Sequence, residues 1–186
     1  KQAESIFSIG NGSFGQRANF EEKYSGPSLQ GIYIGGVYYP DKTRVGWWKN
    51  GYPEYFAKVL HACNWIGIHV EVDGEMLDLN VQQPLSFYRE LNMQQGTLLR
   101  KFKVRFSQGK ELMVETLRFC SMDNDELAAI RFQVTPLNFS GNVKFIPFLD
   151  AKVYNHDANY DEFFWEADSH KEGMKKAYVC AKTRKT

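Results

Sequence analysis

The stretch Ser5-Ile6-Phe7-Ser8-Ile9-Gly10-Asn11-Gly12-Ser13-Phe14-Gly15-Gln16-Arg17-Ala18-Asn19-Phe20 decides between two folds. Its centre, GNGSFG at residues 10–15, has the G-x-G-x-x-G spacing of a dinucleotide-binding turn. It follows a short apolar run that could be a strand, and Asp41 lies downstream at the end of another. Glycines at that spacing specify only a backbone that turns tightly and admits close approach. A nucleotide site also needs a helix opening directly after them, so that the pyrophosphate meets the helix N-terminus, and further strand–helix alternation. Here Gln16 to Tyr24 carry no apolar stripe at helical spacing, and Ser25-Gly26-Pro27 ends them.

From residue 30 onward the dominant period is two. Gln30 to Tyr39 is aromatic and β-branched, and Trp65 to Val72 places Ile66, Ile68, Val70 and Val72 on one face. Asp73-Gly74 then gives a hairpin signal, with the return through Met76 to Leu79. Leu98 to Phe106 sets Phe102, Val104 and Phe106 on one side, with Arg100, Lys103 and Arg105 among the charges. Ser107 to Lys110 turns the chain into Leu112 to Ser121. Ala128 to Thr135, Val143 to Val153 and Ala177 to Ala181 follow. Many strands joined by short turns, with no helix, predict an all-β antiparallel sandwich or barrel forming one domain over residues 1–186. Pro40 to Tyr55 and His156 to Lys175 are the least regular parts, and loops of that length are functional or interfacial.

Composition narrows the function classes. With 43% hydrophobic and 24% charged residues, the chain is neither disordered nor fibrous. A net charge of +1 without clustering offers no footprint for nucleic acid or an anionic membrane, so uncharged partners are expected. The aromatic content of 15% suits cross-strand pairs or a surface that stacks on sugars. Cys63, Cys120 and Cys180 are far apart and read as reduced, mostly buried thiols. No apolar run is long enough to span a membrane, and no signal-peptide core stands at the N-terminus. The sequence starts at Lys1 without Met and ends at Thr186 after a strand-like run, as expected of a piece of a longer protein from which a targeting signal could have been removed.

Candidate chemistry is sparse. His61, His69, His156 and His170 have no metal-ligand spacing, and they read either as structural histidines or as proton-transfer groups of a mutarotase-like sandwich. Asp157, Asp161, Glu162, Glu166 and Asp168 gather as a solvated loop or as acids flanking a glycosidic bond. Trp47, Trp48 and Tyr52, with Tyr55 and Phe56, could stack on pyranose faces or pack against their own loop or a partner domain. Asn11-Gly12-Ser13 and Asn138-Phe139-Ser140 match the glycosylation triplet, relevant only to a eukaryotic secreted protein.

Four segments occur in order: ESIFSIGNGSFGQRANFEE at Glu4 to Glu22, LQGIYIGGVYY at Leu29 to Tyr39, VDGEMLDL at Val72 to Leu79, and RFCSMDNDELAAIRFQVTPLNFSG at Arg118 to Gly141. Together they resemble the N-terminal domain of glycoside hydrolase family 65, the family of maltose, trehalose and kojibiose phosphorylases. Ser13 and Ala18 depart from the aromatic residue and the glycine usual at those places. The resemblance implies a large supersandwich of the galactose-mutarotase-like type preceding an (α/α)6 barrel that this chain lacks. It implies a cytoplasmic parent enzyme, or a periplasmic one if an upstream signal was removed, that phosphorolyses an α-linked glucose disaccharide with inversion. Inorganic phosphate is its co-substrate, and no other cofactor and no metal are expected. The glutamate acid and the phosphate site belong to the barrel, so no catalytic residue is expected here. The domain's expected partners are its own C-terminal catalytic domain and a second copy in a homodimer. Asn11, Phe14 and Arg17 are then candidates for the interdomain junction or active-site rim, and Trp47, Trp48 and Tyr52 for sugar stacking or an interface. An autonomous carbohydrate-binding sandwich is the alternative.

Overall fold

A computed structural model describes residues 1–43, 51, 53–155, 162–173 and 175–185. Trp47, Trp48, Tyr52, His156, Asp157 and Asp161 lie outside the described residues. The chain opens with a single helical turn, α1 (Gln2–Ile6), then β1 (Ile9–Gly10), β2 (Phe14–Gln16), β3 (Ile32–Ile34) and β4 (Tyr38–Lys42). Next come β5 (Tyr55–Val59), β6 (Ile68–Val72), β7 (Glu75–Met76), β8 (Ser86–Asn92) and β9 (Thr97–Arg105). The remainder is β10 (Glu111–Cys120), β11 (Ala128–Pro136), β12 (Val143–Pro147), β13 (Trp165–Glu172) and β14 (Ala177–Thr183). Strands are ordered β11-β10-β9-β8, β12-β6-β7, β1-β2-β3, β13-β14 and β4-β5, and every pairing between named strands is antiparallel.

Two of these sheets make the sandwich. Alternation along β9 and β10 turns Leu98, Phe102, Val104, Leu112 and Val114 inward, where they meet Val70, Val72, Leu77 and Leu79 from the β6–β7 side. The outward face carries cross-strand ion pairs instead, such as Arg131 to Glu115 at 3.0 Å. The Asp73-Gly74 hairpin forms where the sequence placed it. Its central φ values of 47° and 88° are those a type I′ turn requires, and Gly74 takes the second without a Cβ penalty. Lys110 Nζ and the Asn142 amide hold the Asp73 carboxylate at 2.8 and 2.9 Å.

Period two also places charge inside. Arg100 stands in phase with Phe102, and Arg118 with Val114, so both guanidiniums point into the sandwich and are almost solvent-free. Residues 18–24 cross that face and supply the counter-charges. Arg100 binds Glu21 and, at 2.5 Å, Glu22. Arg118 Nε lies 2.8 Å from Glu21 Oε1, and its Nη2 donates to the Asn19 carbonyl at 2.8 Å. The Phe20 ring lies 4.6 Å from the Arg100 guanidinium and 5.3 Å from that of Arg89. Burial alone would raise the Glu21 pKa; the Arg100 and Arg118 charges outweigh it and hold the carboxyl below its ordinary value. Burial, with the like charges of Arg100 and Arg118, pulls Arg89 down to about 10.

Several expectations need correction. The run before the glycines is partly the five-residue α1, so the chain is not free of helix; no strand precedes Ile9. The run Gln30 to Tyr39 is two strands, because Gly35-Gly36 turns the chain between them. Strands expected from Trp65 and to Val153 are shorter, β6 starting at Ile68 and β12 ending at Pro147. The segment His156 to Lys175 contains β13, whose exposed polar residues gave no alternation, and β8 was missed for the same reason. Of the cysteines, all free, only Cys120 is buried; Cys63 is half-buried and Cys180 exposed.

Replacing Arg100 by Leu strands two buried carboxylates, so equilibrium urea unfolding should show a loss of about 3–5 kcal/mol. Glu4, Glu21, Glu75 and Asp78 all have folded pKa values below their ordinary ones. Their stabilisation is complete above the unfolded carboxylate pKa, about 4.5 for Glu, and is lost as pH falls toward the depressed folded values. Urea midpoints should therefore hold from neutrality to about pH 5 and fall below it; a flat profile down to pH 3 would contradict the network.

Candidate functional site

The opening glycines build a β-hairpin. Gly10 pairs with Gly15 across β1 and β2, and Asn11-Gly12-Ser13 make the turn, with Gly12 at φ 95°. Asn11 Oδ1 accepts from the amides of Ser13 and Phe14, both at 3.1 Å, which closes the turn from its own side chain. Its amide group reaches outward and donates to the carbonyls of Ser121 and Asp125 at 2.8 and 2.9 Å. Ser13 Oγ adds a 2.7 Å bond to the Asp125 carboxylate. The first hairpin is thus clasped to the turn between β10 and β11, more than a hundred residues away.

Arg17 plays a second internal role. Its Nε donates to the Leu29 carbonyl at 2.8 Å and its Nη2 to Ser5 Oγ at 2.7 Å, tying α1 to the segment before β3. Phe14 differs from both neighbours, because its half-buried ring faces an open cleft of about 960 Å³. Ile34, Trp65, Leu127, Leu149 and Tyr178 line the same cleft. It opens beside a small buried cluster of Ile32, Ala62 and Ile66, against which Ile130 and Trp165 also pack.

The cleft is poor in reactive groups. Asp125 and Glu126 stand on its rim, and Asp125 already accepts the Ser13 hydroxyl. Cys63 lines it too, but burial, with the nearby Asp150 carboxylate, pushes its thiol up to about 11, far from a reactive thiolate. His61 is buried under the floor of the neighbouring cluster, with the Ile32 amide 3.3 Å from Nδ1 and its own amide donating to Asn155 at 2.9 Å. His69 packs on Phe148, and burial depresses its pKa. Glu166 and Asp168 lie on exposed β13, Glu166 at 3.8 Å from Lys182, so the carboxylate group expected at residues 157–168 is not brought into the cleft by its described members. Among the described residues, no three His, Cys, Asp or Glu side chains gather to hold a metal ion, and no helix is long and apolar enough to cross a membrane. The arrangement suits binding of apolar surface rather than acid–base chemistry. Sequence reasoning found Phe14 but missed the other walls, which come from six separate segments and share no local pattern.

Comparison with known proteins fits this geometry. The pattern of glycosyl hydrolase family 65, N-terminal domain, matches residues 1–186, and the chain belongs to that family. It is 47% identical over 181 residues to the maltose phosphorylase of Bacillus subtilis (strain 168), covering 97% of this chain and 24% of that protein. It is 37% identical to the alpha,alpha-trehalose phosphorylase of Thermoanaerobacter brockii, over 85% of this chain and 21% of that one. A solved structure from the human microbiome, assigned as a kojibiose phosphorylase, superposes with a TM-score of 0.85 at 25% identity, covering 98% of this chain and 24% of that one. The chain therefore spans about a quarter of the length of the relatives it matches.

Asn11→Ala removes both the turn closure and the clasp. It should cost roughly 1–3 kcal/mol in unfolding experiments and speed amide exchange over residues 121–127, leaving β9 protected.

Proposed function

We propose that this chain is the non-catalytic β-sandwich domain of a disaccharide phosphorylase acting on an α-linked glucoside, with inorganic phosphate as co-substrate of the complete enzyme. The observation that carries the reading is the 47% identity to a maltose phosphorylase over nearly the whole chain, of which that chain is only a quarter. The composition of the cleft supports it. A group able to protonate a glycosidic oxygen needs a raised pKa and a second group or a phosphate opposite, and the rim carboxylates of the cleft have no such arrangement. On this reading the domain packs on a catalytic domain and shapes the rim of its site. Phe14 contributes directly, whereas Asn11 and Arg17 act by fixing the hairpin and the segment around it. Homodimerisation and a cytoplasmic location belong to the same proposal.

The test uses two proteins. The chain alone, incubated with phosphate and maltose, trehalose or kojibiose, should release no glucose 1-phosphate above a blank. Residues 1–186 joined to the part of the Bacillus subtilis maltose phosphorylase that follows its matched segment should phosphorolyse maltose. Turnover by the isolated chain, or calorimetric binding of any of the three sugars to it, would overturn the assignment and favour a self-sufficient sugar-handling module.

A further inference from the structure

The two cores of this domain are unequal. The one between β6–β7 and β8–β11 holds nine buried apolar residues and is closed. The other holds three, Ile32, Ala62 and Ile66, and opens straight into the 960 Å³ cleft. Ile34 is 45% exposed, Leu127 52% and Tyr178 51%, although all three are walls of one hollow. Scattered exposed apolar residues are ordinary, but a concave cluster beside an incomplete core is the surface of a missing packing partner.

We propose that the cleft is the seat of a strand-forming apolar segment of the same polypeptide, lying after residue 186 in a protein of the relatives' length, which completes the second core. This rests on the reading that the chain is one domain of a longer enzyme. Three observations select that occupant. Tyr178 and Val179 of β14, the last described strand, form one wall, and β14 ends at Thr183, so polypeptide continuing past Thr186 starts at the lip of the cleft. The matched relatives are about four times longer than their matched segments. The edge of β11, nine residues long and interrupted by Pro only at its end, pairs only with β10 among the described residues and begins at the cleft with Ala128. Such a row of unpaired amides and carbonyls is a template for another strand. A sugar fits less well, because orienting hydroxyls needs several convergent polar groups, and the rim carboxylate Asp125 already holds Ser13.

Ile34→Asp and Leu127→Asp test the assignment, since both side chains are half exposed and their loss leaves the closed core intact. The isolated chain should bind the apolar dye 8-anilinonaphthalene-1-sulfonate, and the double variant should not. In the fusion to the Bacillus subtilis partner sequence, dye binding should vanish, and amides of residues 127–130 and 177–183 should exchange roughly 100-fold more slowly than in the isolated chain. The double variant should keep the melting temperature of the isolated chain yet lower that of the fusion by about 5 °C or more. If the fusion fails to fold, the same exchange is measured on the two pieces co-expressed as separate chains. Unchanged exchange overturns the proposal, as does protection of the cleft in the isolated chain by maltose or by raised protein concentration, or a wild-type chain that binds no dye. An inactive but protected fusion removes the phosphorylase reading and leaves the cleft assignment standing; an active fusion with an open cleft does the reverse.

Discussion

Two carboxylates and two guanidiniums buried on one face of a sheet fix how the first thirty residues lie on the rest. Glu21 and Glu22 cannot be taken out of water unless Arg100 and Arg118 meet them, and those arginines cannot stay inside β9 and β10 without the carboxylates. Each unpaired ion would cost several kcal/mol, so the segment from Ala18 to Tyr24 has one acceptable position. From that position the remaining N-terminal contacts follow. The Glu21 carbonyl accepts the Ile68 amide at 2.8 Å, joining the segment to β6. Asn19 collects Glu4, Ser28 and Leu29, and Arg17 collects Leu29 and Ser5, so α1 and the approach to β3 are carried along.

The same anchoring sets the geometry of the cleft. Once residues 18–24 are held, β2 and β3 are placed on either side of them in sequence, and the hairpin of β1 and β2 reaches the turn between β10 and β11. There Asn11 and Ser13 lock it to Ser121 and Asp125. Phe14 and Leu127 are thereby presented to one hollow from opposite ends of the chain. A polar clasp at the rim with apolar walls beneath is how a domain can hold a docking surface open while its own core stays dry. The surface is stiff for a physical reason: its rim is tied by side-chain hydrogen bonds to backbone carbonyls rather than by pairs of exposed long side chains.

The glycine motif shows why spacing needs context. Gly10, Gly12 and Gly15 satisfy a nucleotide fingerprint, yet the chain makes a hairpin of them, because the following residues extend as β2 and present Asn19, Glu21 and Glu22 to buried arginines. A helix starting at Gly15 would remove those counter-charges from Arg100 and Arg118. The fate of the motif was therefore decided by residues about a hundred positions downstream.

The sequence by itself determined what depends on local stereochemistry. Period-two alternation gave the all-β antiparallel class, the inward set of β9 and β10, and the position of the Asp73-Gly74 turn, because side-chain direction in a strand is a property of the strand alone. The same alternation held a signal that was passed over: Arg100 and Arg118 sit in phase with Phe102 and Val114, which already places two charges inside. Strands lacking alternation, such as β8 and β13, were illegible because both their faces are largely exposed or polar. Only the tertiary structure decided which carboxylates meet the buried arginines, that Asn11 and Arg17 bind within the domain, and that a cleft exists. Each of these joins residues far apart in the chain, and such a meeting is fixed by the cost of unpaired buried charge and unfilled apolar surface, which no local pattern encodes.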